Sequence, residues 1–132
     1  MVRATVLIVD DHPVNVELAK LVLLLEGYVV HTAHDARTCE AMLEDLQPDL
    51  ILMDVRLPDV DGLDLTRRIR TNPRHRDTVI VAFTAHAMKG DQENALAAGC
   101  NGYLTKPIDT RAFPSDIARY LRMRPSQHED AT

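Results

Sequence analysis

The sequence predicts an α/β domain built on a doubly wound sheet of five parallel strands, in the order 2-1-3-4-5. Short apolar runs recur along the chain, stretches of helical periodicity separate them, and most runs end on a carboxylate, hydroxyl or ammonium side chain. A continuous apolar run of roughly four to eight residues suits a strand buried on both faces of a parallel sheet. Strict alternation of strand and helix implies right-handed crossovers, a sheet covered on both faces, and a ligand edge at the carboxyl ends of the strands. No internal repeat or low-complexity tract competes with that reading.

Each element has its own warrant. Thr5-Val-Leu-Ile-Val9 is β-rich and runs into Asp10-Asp11, a first strand with two carboxylates at its tip. Pro13 opens a helix to about Glu26, with Val14, Leu18, Leu21, Val22 and Leu25 at helical spacing and Gly27 as its C-terminal cap. Tyr28 to Ala33 reads as a second strand. Asp35 can cap a second helix whose stripe is Cys39, Met42, Leu43 and Leu46, and Pro48 stops it. Leu50 to Met53 forms a third strand that ends at Asp54, and Pro58 and Gly62 shape the loop beyond it. A third helix, Gly62 to about Arg70, turns Leu65 and Ile69 inward and Arg67, Arg68 and Arg70 largely outward. Val79 to Phe83 is a fourth strand ending at Thr84. Met88, Ala95 and Leu96 share a helix face closed by Gly99, and Gly102 to Thr105 is a short fifth strand ending at Lys106-Pro107. Phe113, Ile117, Tyr120 and Leu121 stripe the last helix. Residues 1–122 form the domain, and 123–132 a polar tail expected to fray.

Composition narrows the function classes. The 132 residues, 45% hydrophobic and 27% charged, suit one domain with a real core, with no room for a second. A net charge of −5 argues against nucleic acid as partner. Cys39 and Cys100 have no metal-ligand or redox spacing, which reads as two reduced thiols in a cytoplasmic protein. Val6–Val9 is too short for a signal segment and Leu21–Leu25 stops at Glu26, so no membrane span is expected.

The strand tips carry the chemistry. In a parallel sheet Asp10, Asp11, Asp54, Thr84 and Lys106 share one edge. A like-charge pair 4 Å apart costs about 4 kcal/mol at an effective dielectric of 20, so three carboxylates there require cations. Lys106 supplies one charge, and the remainder suits a hard divalent ion with oxygen ligands such as Mg²⁺. Phosphoryl transfer needs a nucleophile, a metal, a cation and a hydrogen-bond donor, and an aspartate can itself be the nucleophile. Asp54 then attacks, Asp10 and Asp11 hold the metal, Thr84 donates to the phosphoryl group and Lys106 pairs with it.

Leu7-Ile-Val-Asp-Asp11, Leu52-Met-Asp-Val-Arg-Leu-Pro58 with Asp61-Gly62, Phe83-Thr-Ala85 and Gly102-Tyr-Leu-Thr-Lys-Pro107 together resemble the receiver domain of two-component response regulators, a flavodoxin-like (βα)5 fold. The resemblance covers residue 5 to about 122. It implies Asp54 as phospho-acceptor, Asp11 as direct metal ligand, Asp10 helping through water, and the Arg56 backbone carbonyl as the third protein ligand to Mg²⁺ or Mn²⁺. It also implies Thr84 as switch hydroxyl, Tyr103 as aromatic switch, a cis peptide between Lys106 and Pro107, and a signalling role rather than an enzyme's. The implied partners are a histidine kinase or histidine phosphotransfer protein, and a downstream protein target on the face made by helix four, strand five and helix five. A monomer and a phosphorylation-dependent dimer are both compatible.

Competing readings are weaker. A dehalogenase-like phosphatase also uses an aspartyl phosphate but wants an aspartate where Arg56 stands. Gly27, Gly62, Gly90, Gly99 and Gly102 form no phosphate loop. Asp59-Val-Asp61-Gly62 fails as a calcium loop because Leu57 and Arg68 fall at ligand positions, and the six histidines offer no zinc pair. A degenerate receiver that only binds partners would not need the intact Asp10, Asp11, Asp54, Thr84 and Lys106 set. His12 and His86 lie beside the site and read as solvated loop residues there, although His86, like Arg56, flanks the pocket mouth and could tune the acyl phosphate's lifetime. His86-Ala-Met88 is similar to hybrid-kinase receivers. Pro114, a departure from the family pattern, predicts a late or bent start to the last helix.

Overall fold

A computed structural model describes residues 4–85 and 89–124, Lys89 by its backbone alone. The elements are β1 (Thr5–Val9), α1 (Pro13–Leu25), β2 (Val29–Ala33), α2 (Ala36–Leu43), β3 (Leu50–Asp54), α3 (Gly62–Arg70), a 3-10 turn (Pro73–His75), β4 (Val79–Thr84), α4 (Lys89–Ala98), β5 (Gly102–Thr105) and α5 (Phe113–Leu121). The strands form one parallel sheet in the order β2-β1-β3-β4-β5, as the alternation predicts.

Successive strand side chains point to opposite faces, so each strand feeds two cores. Val6, Ile8, Leu50, Leu52, Val81 and Phe83 face α1 and α5, where they meet Leu23, Phe113 and Ile117. Leu7, Val9, Ile51, Met53 and Ile80 face α2, α3 and α4, where they meet Cys39, Leu65, Ile69 and Ala95. β3 is buried at every position, Asp54 included. That central strand carries a carboxylate into the interior.

Several local expectations change. α1 turns Ala19 and Leu23 inward with Val16 and Val22 beside them, leaving Val14 80%, Leu21 55% and Leu25 77% exposed. The helix is apolar on more than one side: of the predicted stripe Val22 packs against the core, while Val14, Leu21 and Leu25 face outward. α2 ends at Leu43, before Pro48, because residues from the 3-10 turn take its last carbonyls. Arg74 donates to the Glu44 carbonyl at 2.7 Å, and the His75 ring nitrogen Nε2 lies 3.3 Å from the Leu43 carbonyl. Arg70 turns inward and donates to the carbonyls of Gly99, His75, Arg76 and Thr78 and to Asn101 Oδ1. On α4 the buried partner of Ala95 is Ala98, while Leu96 is half exposed and Met88 lies outside the described residues. α5 starts at Phe113 with Pro114 in its first turn, where a missing N–H costs nothing. Of the polar tail, residues 125–132 lie outside the described residues. Cys39 and Cys100 are free, buried thiols, and burial pushes Cys39 up to about 12. Among the described residues no helix is long and apolar enough to cross a membrane.

Candidate functional site

The sheet register brings the predicted residues together. Val9 pairs with Met53 and Asp54 with Phe83, so Asp10, one residue past β1, lies beside the end of β3. Thr84 pairs with Thr105, which sets Lys106 at the same edge. The Lys106 N–H donates to the Thr84 carbonyl at 2.7 Å, and the Lys106–Pro107 peptide is cis, as the resemblance implies.

The loop after Asp54 is held tightly. Arg56 N–H donates to Asp54 Oδ1 at 3.0 Å and Gly62 N–H to the Val55 carbonyl at 2.8 Å. Position 62 must be glycine, because a Cβ there would collide with the Asp54 carbonyl. Asp61 caps α3 through the Leu63 N–H, and Asp59 accepts from the Ala36 and Arg37 N–H groups at the start of α2. Two helix N-termini therefore fix this loop through its own carboxylates.

At the centre Lys106 Nζ lies 2.9 Å from Asp10 Oδ2 and 3.3 Å from Asp54 Oδ2, and above the Phe83 ring at 5.1 Å. The lysine side chain is 7% exposed and the two carboxylates 0% and 3%. Apart from the ammonium, neither of those oxygens accepts a hydrogen bond among the described residues. Burial raises the Asp54 carboxyl above the ordinary carboxylate range and Asp10 adds to this, against the Arg56 N–H and Lys106. Burial pushes Asp10 the same way, but the His12 N–H, Lys106 and the His12 imidazole outweigh it and hold that carboxyl low. Two adjacent carboxyls are thus driven apart.

His12, expected beside the site as a solvated loop residue, instead aims its ring into the carboxylate cluster. Its Nδ1 lies 2.9 Å from Asp10 Oδ1, 3.2 Å from Asp11 Oδ1 and 3.5 Å from Asp54 Oδ2. Its hydrogen bond with Asp10 raises the imidazole's pKa, against burial and Lys106. The available signal was position: His12 is the N-cap residue before Pro13, directly after the two aspartates. Asp10, Asp11, His12 and Asp54 present ligand atoms all within 4.8 Å of one another, a set that could coordinate a divalent metal.

Thr84 and Tyr103 line a cavity of about 250 Å³ beside this cluster, with Arg56, Asp61 and Asp91 at its polar side and Ala82 and Ala95 at its apolar side. The Tyr103 carbonyl accepts from the Tyr120 hydroxyl at 3.3 Å, linking β5 to α5. His86 lies outside the described residues.

The profile of the family described as "Response regulator receiver domain" matches residues 6–118. This chain belongs to that family. The receiver is 35% identical over 117 residues to the polar-differentiation response regulator DivK of Brucella anthropi, covering 89% of this chain and 95% of DivK. Among solved structures it is similar to the receiver domain of sensor histidine kinase PA1611 from Pseudomonas aeruginosa, which has a magnesium ion coordinated in its active-site cleft. That match has 38% identity and a TM-score of 0.82, and covers 90% of this chain and 98% of that one. A putative response regulator from Chloroflexus aurantiacus matches with a TM-score of 0.83 at 32% identity, over 90% and 98% of the two chains. The receiver is a phospho-accepting signalling module rather than a conventional enzyme, which sets aside the phosphatase reading. Membership implies a cognate histidine kinase or phosphotransfer protein as partner.

Proposed function

We propose that Asp54 takes a phosphoryl group from the phosphohistidine of a histidine kinase or phosphotransfer protein. A carboxylate oxygen of Asp54 attacks phosphorus in line, the bond from phosphorus to the histidine nitrogen breaks, and an acyl phosphate remains. The observation that carries this is the placement of Asp54 at the tip of β3, its side chain 3% exposed and 3.3 Å from the Lys106 ammonium. Lys106 pairs with the incoming phosphoryl oxygens and Thr84 donates its hydroxyl to them.

The donor set fits a hard dication. Two buried carboxylate oxygens that share one lysine ammonium, with a third carboxylate beside them, leave the cluster short of positive charge. Asp10, Asp11, Asp54 and the Arg56 carbonyl would hold Mg²⁺ or Mn²⁺, and the magnesium of the Pseudomonas receiver supports that choice. Such an ion neutralises charge on the transferring group.

The acyl phosphate draws the Thr84 hydroxyl toward itself, and the cavity shared by Thr84 and Tyr103 gives the tyrosine room to rotate. The surface of α4, β5 and α5 is then read by a downstream protein or by a second copy of the chain. Arg56, which lines that cavity, and His86, two residues after Thr84 in the sequence, hinder attacking water and lengthen the phosphorylated state. Unchanged phospho-protein half-lives in both Arg56→Ala and His86→Ala would remove them from that role. A full phosphorylation-linked spectral change at Tyr103 in Thr84→Ala would break the switch.

Intact-protein mass spectrometry after incubation with acetyl phosphate tests the central reading. A single phosphoryl adduct that requires Mg²⁺ and vanishes in Asp54→Asn is expected. A folded, metal-binding chain that takes no adduct would instead be a receiver acting only through partner binding.

A further inference from the structure

The imidazole of His12 occupies an unusual position for a side chain that is 56% exposed. Its Nδ1 points at the middle of the carboxylate cluster, not at water, and one N–H proton there faces three acceptors. A single proton can satisfy only one of them. One of those acceptors, Asp54 Oδ2, and the other oxygen of Asp10, Oδ2, are buried and share the single Lys106 ammonium.

We propose that His12 is a metal ligand through Nδ1, which makes this a nitrogen-containing site that favours Co²⁺, Ni²⁺ and Zn²⁺ over Mg²⁺. The proposal rests on the divalent-ion reading given above and adds its selectivity. Geometry supports it. With metal–ligand bonds of about 2.1 Å, adjacent ligands stand roughly 3.0 Å apart in an octahedral site and roughly 3.4 Å apart in a tetrahedral one. The observed Nδ1-to-oxygen edges of 2.9, 3.2 and 3.5 Å span those values. The widest separation in the cluster, 4.8 Å, needs a contraction of about half an ångström to match an opposed pair near 4.2 Å.

The lysine does not compete for the same place on Asp10. Lys106 meets Oδ2 of that residue, whereas His12 meets Oδ1; on Asp54 both meet Oδ2, whose two lone pairs can serve an ion and the ammonium together. Ring nitrogen Nε2 then carries the proton. Chemistry sets the direction of selectivity: Mg²⁺ takes oxygen ligands and gives up water reluctantly, while imidazole suits the later first-row ions.

The test is metal binding by the full chain, stripped with chelator, with Mg²⁺ and Co²⁺ titrated separately into the wild type and His12→Ala. Alanine keeps the backbone N–H that donates to Asp10. The expected result is a Co²⁺ affinity lowered at least about tenfold by the substitution, the loss typical of disturbing a ligand's surroundings, with Mg²⁺ affinity changed less than about twofold. A displaced His12 Nδ1 resonance in the Zn²⁺-loaded, ¹⁵N-labelled protein gives the direct sign of ligation. The proposal is overturned if Co²⁺ and Mg²⁺ affinities fall by the same factor, if Co²⁺ affinity is unchanged, or if the Nδ1 resonance stays in place. In each case intact Mg²⁺ binding and a Mg²⁺-dependent phosphoryl adduct would leave the receiver mechanism standing. A folded wild type that binds neither ion would overturn both.

Discussion

Replacing Asp54 by asparagine should stabilise the metal-free protein. The Asp54 carboxylate is 3.3 Å from Lys106 Nζ, an attraction of about 5 kcal/mol at an effective dielectric of 20. Asp10 and Asp11 lie within 4.8 Å, and each repels it by at least about 3.5 kcal/mol on the same scale. Asp11 is 34% exposed, so water screens about half of its share, and the charge terms nearly cancel. Burial decides the sign. Desolvation of a carboxylate that is 3% exposed costs several kcal/mol in its charged form, while an asparagine amide keeps an oxygen for the Arg56 N–H. A gain of about 1–2 kcal/mol is expected, or roughly 3–6 °C in Tm for a domain of this size.

The assay is thermal and urea denaturation in chelator at pH 7.5 and low salt. The sign with pH comes from the raised carboxyl of Asp54. A carboxyl whose folded pKa exceeds its unfolded value weakens the fold wherever it is ionised. That deficit shrinks as pH falls through the folded pKa and is gone below the unfolded value of about 4. The variant's advantage should fade over that interval. A variant no more stable than wild type at pH 7.5, or one whose advantage grows with acid, would show that the lysine pair outweighs burial.

Other perturbations probe the supports of the site. Gly62→Ala should cost about 1–3 kcal/mol and reduce phosphoryl uptake, because its methyl meets the Asp54 backbone, whereas Gly90→Ala, with open space around it, should gain up to about 1 kcal/mol; equal effects in urea midpoints would contradict the packing argument. Arg70→Met should lose about 3 kcal/mol by leaving four carbonyls and Asn101 without their shared donor, and Arg70→Lys should recover little. A loss under about 0.5 kcal/mol by urea denaturation would refute that. His75 is held below its ordinary range by burial, so the unfolded chain takes up its proton first. Stability should fall as pH drops below about 6.5, by up to ~1.4 kcal/mol per pH unit until the folded pKa is passed, and His75→Gln should flatten that slope.

The strands and their tips were legible because a central parallel strand is apolar on both faces. Leu50–Met53 and Val79–Phe83 announce themselves without reference to any neighbour, and the residue that ends each run must lie at the ligand edge. That reasoning places Asp10, Asp54, Thr84 and Lys106 together from sequence alone. Helix faces were less determined. α1 carries apolar residues on several sides, and only packing against the sheet selects Ala19 and Leu23 over Val14, Leu21 and Leu25. Arg70 belongs to an outward-looking arginine run, yet it turns inward because carbonyls from four separate residues converge on it. α2 stops at Leu43 because Arg74 and His75, some thirty residues later, satisfy its last carbonyls. For His12, its place in the chain set the neighbourhood but not the direction of the ring. Spacing along one chain settles which residues share an edge or a stripe, whereas the aim of a polar side chain depends on acceptors contributed by distant segments, and those meet only when the sheet is assembled.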